Sequence, residues 1–179
     1  GNLIKWTWNS GEGSNSIFAT NSPFTHTYSA TGSYNATLQV ETDKGCVSTI
    51  FTKQVLINSL PVTNFGLPES CLNDPFSQFT DSSSISDGTQ NQFTYLWNFG
   101  DANANAANPN TSASKNPQHK YTATGPYNVT ETVTSNNGCS VSTMKTFFVN
   151  GSVPVPSFSL ANASVCSGSK IDLTNNSTV

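Results

Sequence analysis

Two histidines and one aspartate are the side chains of this sequence that could do acid–base chemistry or bind a metal. His26 and His119 are its only histidines, and an imidazole can act as a general base or a ligand near neutral pH. Asp101 follows a glycine and could bind calcium with nearby carbonyl oxygens. A turn in which its carboxylate caps the backbone explains Asp101 equally well. No serine-, cysteine- or aspartate-containing nucleophile motif accompanies either histidine, so we expect hydrogen-bonding histidines and no enzyme.

The four cysteines could form disulfides. Cys71 and Cys139 lie near the start and end of one stretch, while Cys46 matches Cys139 in the stretch before it and Cys166 matches Cys71 in the stretch after it. This arrangement predicts a bond between Cys71 and Cys139, with Cys46 and Cys166 finding partners in adjacent repeats. Such a bond would contribute about 4 kcal/mol in the chain-entropy description. Free thiols and zinc are the alternatives, although no Cys-x-x-Cys pair is present.

The histidines and cysteines belong to a sequence pattern that occurs twice in the chain. The histidine-to-cysteine spacing is identical in the two copies, and only the stretch between tryptophan and histidine differs in length. A fixed spacing with one variable segment predicts a repeated structural unit with a surface loop. Recurring aromatic residues are therefore expected in the core rather than on a sugar-binding platform. They are Trp8, Tyr28 and Tyr34 in the first copy and Trp97, Tyr121 and Tyr127 in the second.

The elements that must position these residues are β-strands. Apolar and polar residues alternate over 34–41, 95–99 and 127–133, and no segment shows a sustained helical stripe. Turn residues interrupt the chain at short intervals, which indicates an all-β sandwich. Tyr34 and Tyr127 begin strands after a glycine, a position at which the hydroxyl bonds back to the backbone. Glu131 is the exception in its strand: it is either buried with a raised pKa or, as we expect, at a solvated rim or bulge.

Proline-containing joints divide the chain. Leu60-Pro61-Val62 and Val153-Pro154-Val155-Pro156 occupy equivalent points in the repeat, and proline restricts its neighbours to extended backbone. We expect a complete domain over 61–150, the later part of another over 1–58, and the opening strands of a third over 153–179. The two partial pieces match one complete domain when 153–179 is written ahead of 1–58. The sequence therefore predicts a two-period slice of a longer tandem array.

The composition limits the function classes. Charged residues make up 9% of the 179 residues, the net charge is −3 and there is no basic run, which argues against nucleic acid and anionic membranes. No apolar stretch reaches the roughly 20 residues of a membrane span, so no membrane insertion is expected. The polar loop 102–116 either carries recognition or tolerates insertion, and we favour tolerance. No cofactor is expected, with calcium at Asp101 as the one alternative.

The second copy resembles the PKD (polycystic kidney disease) family of immunoglobulin-like sandwiches. The matching residues are Trp97-Asn-Phe-Gly-Asp101, His119-Lys-Tyr121 and Gly125-Pro-Tyr127. The first copy departs from the pattern, with Ser10 at the phenylalanine position and Glu12 at the aspartate position, and Ala102 replaces a usual glycine in the second. The resemblance implies tandem immunoglobulin-like domains in an extended array whose partners are neighbouring repeats.

The resemblance also implies a function. Cysteine-bearing PKD arrays with polar surfaces are similar to those of large cell-surface adhesins of Bacteroidota, including gliding-motility adhesins exported by the type IX system. It implies an extracellular, cell-surface location and a disulfide-stapled stalk for adhesion or motility. Surface polysaccharide or a secretion or motility apparatus would be further partners. The alternative implied by the family is a glycan-binding accessory module of a secreted hydrolase.

Overall fold

The computed structural model describes residues 1–21, 23–151 and 154–178, and these residues form two compact units, Gly1–Ser59 and Leu60–Val179. Strands dominate both units, and the helical content of the described residues is one 3-10 turn, Gln90–Gln92. The all-β prediction is confirmed. The same residues contain no helix with the length and hydrophobicity needed to cross a bilayer.

The first unit is one antiparallel sheet of four strands in the order β2-β1-β3-β4. The strands are β1 (Leu3–Asn9), β2 (Asn15–Phe18), β3 (Gly32–Thr42) and β4 (Phe51–Ile57). Trp8 on β1 lies opposite Leu38 on β3, and Tyr34 on β3 lies opposite Val55 on β4. The alternating apolar residues of these strands therefore share one face of the sheet.

The second unit contains a five-stranded sheet in the order β10-β9-β12-β13-β6, together with three two-stranded ladders, β11-β7, β5-β8 and β14-β15. Its strands are β5 (Phe65–Gly66), β6 (Ser70–Cys71), β7 (Ser77–Gln78), β8 (Thr80–Asp81), β9 (Thr94–Asn98), β10 (Thr111–Ser112), β11 (Gln118–His119), β12 (Gly125–Thr134), β13 (Ser140–Asn150), β14 (Phe158–Leu160) and β15 (Leu173–Asn175).

The core of the second unit forms around Trp97. This side chain is fully buried, with the rings of Phe65 and Phe79 centred 5.0 Å and 5.9 Å from its own. Tyr127 and Val129 on β12 continue the same buried face, because alternate residues of a strand point to the same side. The predicted burial of Trp97, Tyr121 and Tyr127 agrees with this core, whereas Trp8, Tyr28 and Tyr34 are half-buried.

Glu131 corrects one sequence-based expectation. It was expected at a solvated rim or a bulge, yet its side chain is fully buried and its strand is regular. Glu131 lies opposite Trp97 on β9 and opposite Thr143 on β13, so the alternation of β12 points it into the interior. Register, rather than the polarity of the side chain, determines its position.

The C-terminal hairpin repeats the opening ladder of the middle domain. Phe158 pairs with Asn175 on β14 and β15, as Phe65 pairs with Asp81 on β5 and β8. The domain limits 1–58, 61–150 and 153–179 remain a prediction. Of the residues named in them and in the joints, Val153 and Val179 lie outside the described residues.

Candidate functional site

A glycine in left-handed conformation positions the aspartate that the sequence marked as a candidate ligand. Gly100 has φ +67°, and a Cβ built there would lie 2.6 Å from the carbonyl oxygen of Asn128. Its amide donates to Oδ1 of Asn98 at 2.9 Å. Only glycine permits so close a crossing of β12, and the crossing brings Asp101 directly into the interior.

Asp101 and His119 form a buried carboxylate–histidine pair. Nε2 of His119 lies 2.9 Å from Oδ2 of Asp101, and 1% and 0% of the two side chains are exposed. The imidazole stacks on the ring of Phe99, with centroids 4.4 Å apart, and meets the edge of Tyr121 at 4.7 Å. The amide of Asn103 donates to Oδ1 of Asp101 at 2.9 Å. Both carboxylate oxygens therefore accept hydrogen bonds from the protein.

The first unit contains the same pair with a longer carboxylate. Nε2 of His26 lies 2.6 Å from Oε2 of Glu12, and about a third of each side chain is exposed, 31% and 29%. Gly11 has φ +93° and approaches the backbone of Asn35. The replacement of aspartate by Glu12 thus keeps the interaction while moving it nearer to solvent.

This geometry excludes two chemical roles for the second pair. A general base must reach its substrate, but His119 is enclosed by aromatic rings. A calcium ion needs six to eight oxygen ligands and access to them, but the Asp101 side chain is fully buried and each of its oxygens already accepts a hydrogen bond from the protein. Among the described residues there is no group of three His, Cys, Asp or Glu side chains able to hold a metal. The calcium interpretation of Asp101 does not fit this structure, and the alternative of an aspartate-capped turn does.

Tyrosine hydroxyls tie the strands to the preceding loops in both copies. The hydroxyl of Tyr127 donates to the carbonyl of Ala123 at 2.7 Å, and that of Tyr34 donates to Ala30 at 3.0 Å. This is the back-bonding predicted for both tyrosines. The hydroxyl of Tyr121 donates to the carbonyl of Phe99 at 2.9 Å. Burial raises the pKa of Tyr121, so its hydroxyl stays a donor.

A second buried acidic side chain, Glu131, lies on the strand next to Trp97. Burial and the neighbouring charge of Asp81 raise the pKa of Glu131 to about 8. The hydroxyl of Tyr95 donates to Oδ2 of Asp81 at 3.1 Å, and Nζ of Lys115 lies 3.7 Å from the same oxygen. Oε1 of Glu131 has no hydrogen-bond partner among the described residues. None of the residues of this group lines either of the two described cavities.

The cysteines lie at opposite poles of the middle domain. Cys71 pairs with Asn150 at the end of β13, whereas Cys139 immediately precedes that 11-residue strand. A strand of this length separates the two residues by roughly 35 Å, whereas a disulfide requires Cα atoms about 4–7 Å apart. All four cysteines are unbonded. The predicted bond between Cys71 and Cys139 is therefore wrong, because proximity to the ends of the sequence repeat does not mean proximity in space.

Cys46 occupies the same position as Cys139 in the other unit. The carbonyl of Cys46 accepts from the amide of Thr42 at 2.9 Å, as the carbonyl of Cys139 accepts from Ser135 at 2.9 Å. Each cysteine thus follows the tight turn between the last two strands of its sheet. Cys166 begins a turn like that of Cys71, with amides three residues later donating to each carbonyl at 3.1 and 3.0 Å.

The loop 102–116 is more ordered than its composition suggests. Oδ1 of Asn110 accepts from the amide of Asp101 at 2.8 Å, and Nδ2 of Asn108 donates to the carbonyl of Lys120 at 2.7 Å. Two of its residues form β10, which pairs with β9. These asparagines hold the loop over the carboxylate–histidine pair, a role that the sequence-based preference for insertion tolerance missed.

The sequence of the middle domain alone does not predict the carboxylate–histidine pair, because the variable loop separates Asp101 from His119. The signal that could have found the pair is the repeat: Glu12 and His26 stand at the same two positions. A carboxylate and a histidine retained together, while the loop between them changes length, indicates a direct interaction.

The comparisons with known proteins concern the same two stretches. A PKD domain family model matches residues 58–149, and a second PKD domain model matches residues 1–55. The PKD1 domain of Vibrio anguillarum Epp is 30% identical over 53% of this chain and 99% of its own, with a TM-score of 0.43. The PKD1 domain of the Vibrio cholerae metalloprotease PrtV is 35% identical over 51% of this chain and 98% of its own, with a TM-score of 0.41.

Proposed function

The chain belongs to the PKD domain family, and we propose that it is a non-catalytic structural repeat of a long extracellular adhesin or surface fibre. The observation that carries the proposal is the interior position of its chemically capable groups. Asp101 and His119 are sealed inside the middle domain, and the same pair recurs in the first unit. A carboxylate–histidine pair that recurs in both units, and that is closed to solvent in the middle domain, serves the fold of a spacer rather than a single site.

The surface suits a stalk. The two family matches follow each other in tandem, and neutral polar residues solvate the chain in place of charges, which make up 9% of it. Such domains in series hold a binding tip away from the cell. The family's occurrence in secreted proteins supports an extracellular location, and cell-surface anchoring, adhesion and gliding motility belong to the proposal.

Disulfides enter this proposal only as bonds between domains. Cys71 and Cys139 lie at opposite poles of one domain, so neither can close that domain on itself. Bonds between successive domains would instead limit the separation of neighbours under tension. The proposed partners are therefore the adjacent repeats, with surface polysaccharide or a motility apparatus at the distal end.

Surface labelling and repeat deletion test the stalk function. We expect antibodies against residues 61–150 to label intact cells of the producing organism, and in-frame removal of one such domain to shorten the fibre and weaken adhesion. Substitution of His119 by phenylalanine in every repeat should leave adhesion intact wherever the fibre is still assembled. Absence of surface label, or adhesion that depends on the histidine in assembled fibres, would refute the proposal.

A glycan-binding accessory module is the alternative raised by the sequence. That role needs exposed aromatic rings in a row, but Trp97 is fully buried between Phe65 and Phe79. A glycan array probed with the full chain discriminates between the two functions. Specific binding that is lost on substitution of exposed rings such as Phe51, Phe76 or Phe148 would favour the accessory module, and no binding to any glycan would favour the stalk.

A further inference from the structure

The opening segment of the middle domain lies against β13. The carbonyl of Thr63 accepts a hydrogen bond from the hydroxyl of Thr143 at 3.3 Å, and the hydroxyls of the two residues are also in contact. The amide of the next residue, Asn64, donates to Oγ of Ser83 at 3.2 Å. Lys145 lies on the same face of β13 as Thr143, because alternate residues of a strand share a face. The fold therefore brings together a lysine and an asparagine that are 81 residues apart in the sequence.

The side chains of Lys145 and Asn64 are in direct contact. Nζ of Lys145 donates to Oδ1 of Asn64 at 2.7 Å. One carbon–oxygen bond of about 1.2 Å separates Oδ1 from Cγ, so Nζ lies within about 4 Å of the carboxamide carbon. An amine that reacts with a carbonyl carbon must approach it to about 3–3.5 Å. A small rotation of the carboxamide is therefore enough to place this carbon in the path of the amine.

Neutral groups hold the amine of Lys145 in this place. Nζ also donates to the carbonyl oxygen of Phe65 at 2.5 Å and lies 4.9 Å from the centre of the Phe65 ring. Among the residues that the structure describes, Lys145 has no ion-pair partner. The amine is therefore fixed beside Asn64 without being tied to a carboxylate.

The buried carboxyl of Glu131 is the nearby proton acceptor. Glu131 lies opposite Thr143, which makes Lys145 its diagonal neighbour on the same face, and such neighbours are within reach of long side chains. Oε1 of Glu131 has no hydrogen-bond partner among the described residues. Burial and the charge of Asp81 raise the pKa of Glu131 to about 8, while the charge of Lys145 acts to lower it. A carboxylate with a raised pKa is a stronger base than an ordinary one, which suits it to take a proton from Lys145.

We propose that Lys145 and Asn64 form an intramolecular isopeptide bond, with Glu131 as the proton acceptor. The ammonium of Lys145 gives one proton to the carboxylate of Glu131, and the neutral Nζ then attacks Cγ of Asn64. The Nζ–Cγ bond forms and the Cγ–Nδ2 bond breaks. The leaving nitrogen takes one further proton from Nζ and the proton held by Glu131, so it departs as ammonium and the carboxylate is restored. No atom is oxidised or reduced.

The exposure of Asn64 gives the reaction its direction. The side chain of Asn64 is exposed and that of Lys145 is half-buried, so the released ammonium passes into solvent and is diluted. The bond would enclose residues 65–144 in a covalent loop and carry tension from the opening segment directly into β13. The inference goes beyond the proposed stalk function and does not require it, since the bond is detected in the purified chain whether or not the chain mediates adhesion.

Intact-mass spectrometry of the full chain tests the bond. The native chain should be lighter than its sequence mass by one ammonia molecule, and peptide mapping should find a branched peptide that contains Lys145 and Asn64. The branched peptide is decisive, because an asparagine that closes to a succinimide also loses ammonia. Lys145→Arg keeps the charge and Asn64→Ala removes the carboxamide, and neither variant should give a branched peptide.

Lys120→Arg is the matched control. Nζ of Lys120 also donates to a backbone carbonyl, that of Leu72 at 2.7 Å, but it contacts no asparagine side chain, so this variant should form the bond like the native chain. In freshly made Glu131→Gln that is folded by hydrogen exchange, the bond should form roughly a hundredfold more slowly or not at all. A folded native chain that keeps its full sequence mass on prolonged incubation, or gives no branched peptide, would overturn the proposal. Reaction of Glu131→Gln at the native rate would overturn the role of Glu131 in it.

Discussion

Single side chains in the middle domain carry electrostatic costs that the first unit avoids. Glu131 is buried beside Trp97, whereas the corresponding residue of the first unit is Leu38. Asp81, Lys115, Lys145 and Tyr95 are the charged or titratable groups around the carboxyl. Burial disfavours the ionised form of Glu131, and the charge of Asp81 adds to the effect. Ionisation of this carboxyl therefore lowers the stability of the folded domain.

The buried carboxyl predicts a fall in stability with rising pH. The pKa of Glu131 is raised from 4.5 to about 8, so between these values the folded state binds the proton that the unfolded state has lost. The stability that the protonated carboxyl provides is fully present below about pH 4.5. It is lost progressively as the pH rises, and the destabilisation is complete above about pH 8. Glu131→Gln should therefore raise the free energy of unfolding on the order of 3 kcal/mol near pH 9 and change it little near pH 5.

Urea unfolding of the two proteins across this range checks the prediction. Glu131→Leu reproduces the residue of the first unit and should flatten the pH dependence in the same way. If the free energies of unfolding of the native protein and Glu131→Gln differ by the same amount at pH 5 and at pH 9, the buried carboxyl is ionised throughout this range and the prediction is wrong.

The two carboxylate–histidine pairs provide a comparison of the same interaction at different burial. Asp101→Ala removes the acceptor for His119 and for the Asn103 amide in a dry interior. The change should lower the free energy of unfolding of the middle domain by about 2–4 kcal/mol. Glu12→Ala removes a partly exposed partner of His26 and should cost the first unit no more than about 1 kcal/mol. Urea unfolding with domain-resolved hydrogen exchange measures both; equal losses would contradict the assigned roles.

At the residue scale, the sequence predicts positions better than pairings. Alternation correctly places Trp97 and Tyr127 in the core, because a strand has only two faces. The same rule also points Glu131 inward, but polarity alone favoured a solvated rim. Its neighbour Asp81 is distant in sequence, and only the register of β5, β8, β9 and β12 brings the two together. Long-range pairings of this kind require the fold.

Among the elements, the turn after β9 depends most directly on one residue. Gly100 has a positive φ and crosses the backbone of Asn128 at a distance that a Cβ would violate. Gly138 also has a positive φ of 81°, but a Cβ there would meet nothing within 4 Å. The first turn aims Asp101 into the domain, while the second only joins β12 to β13.

Replacing these two glycines by alanine separates the cost of left-handed backbone from the cost of a steric clash with Asn128. Gly138→Ala should cost about 1 kcal/mol, the usual penalty for an L-residue in left-handed backbone. Gly100→Ala adds a collision with Asn128 and should cost roughly 3 kcal/mol or more. Urea unfolding of the two variants measures the difference, and the histidine chemical shift of His119 should move only in Gly100→Ala. Equal costs would mean that β12 yields freely to the added methyl group.

For the whole molecule, the sequence repeat predicts the domain type but misleads about the disulfides. The early and late cysteines suggest closure of one domain, yet the domain begins and ends at opposite poles. Residues 63–65 lie beside the start of β13, where Thr143 and Lys145 contact Thr63 and Asn64, and Cys71 lies beside its end. The sequence repeat shows that each full domain has one early and one late cysteine. Only the parallel pairing of β6 with β13 shows that Cys71 and Cys139 lie at opposite ends of the domain.

The poles predict that no disulfide closes the middle domain on itself. Cys71 lies beside Asn150 at the end of β13, whereas Cys139 immediately precedes Ser140 at the start of that strand. Treatment of the full chain with oxidised glutathione should therefore give no bond between Cys71 and Cys139 of one copy, because their Cα atoms lie well beyond the roughly 4–7 Å that a disulfide spans. Peptide mapping under non-reducing conditions measures this. A bond between Cys71 and Cys139 of one copy would contradict the placement of the two cysteines at opposite poles.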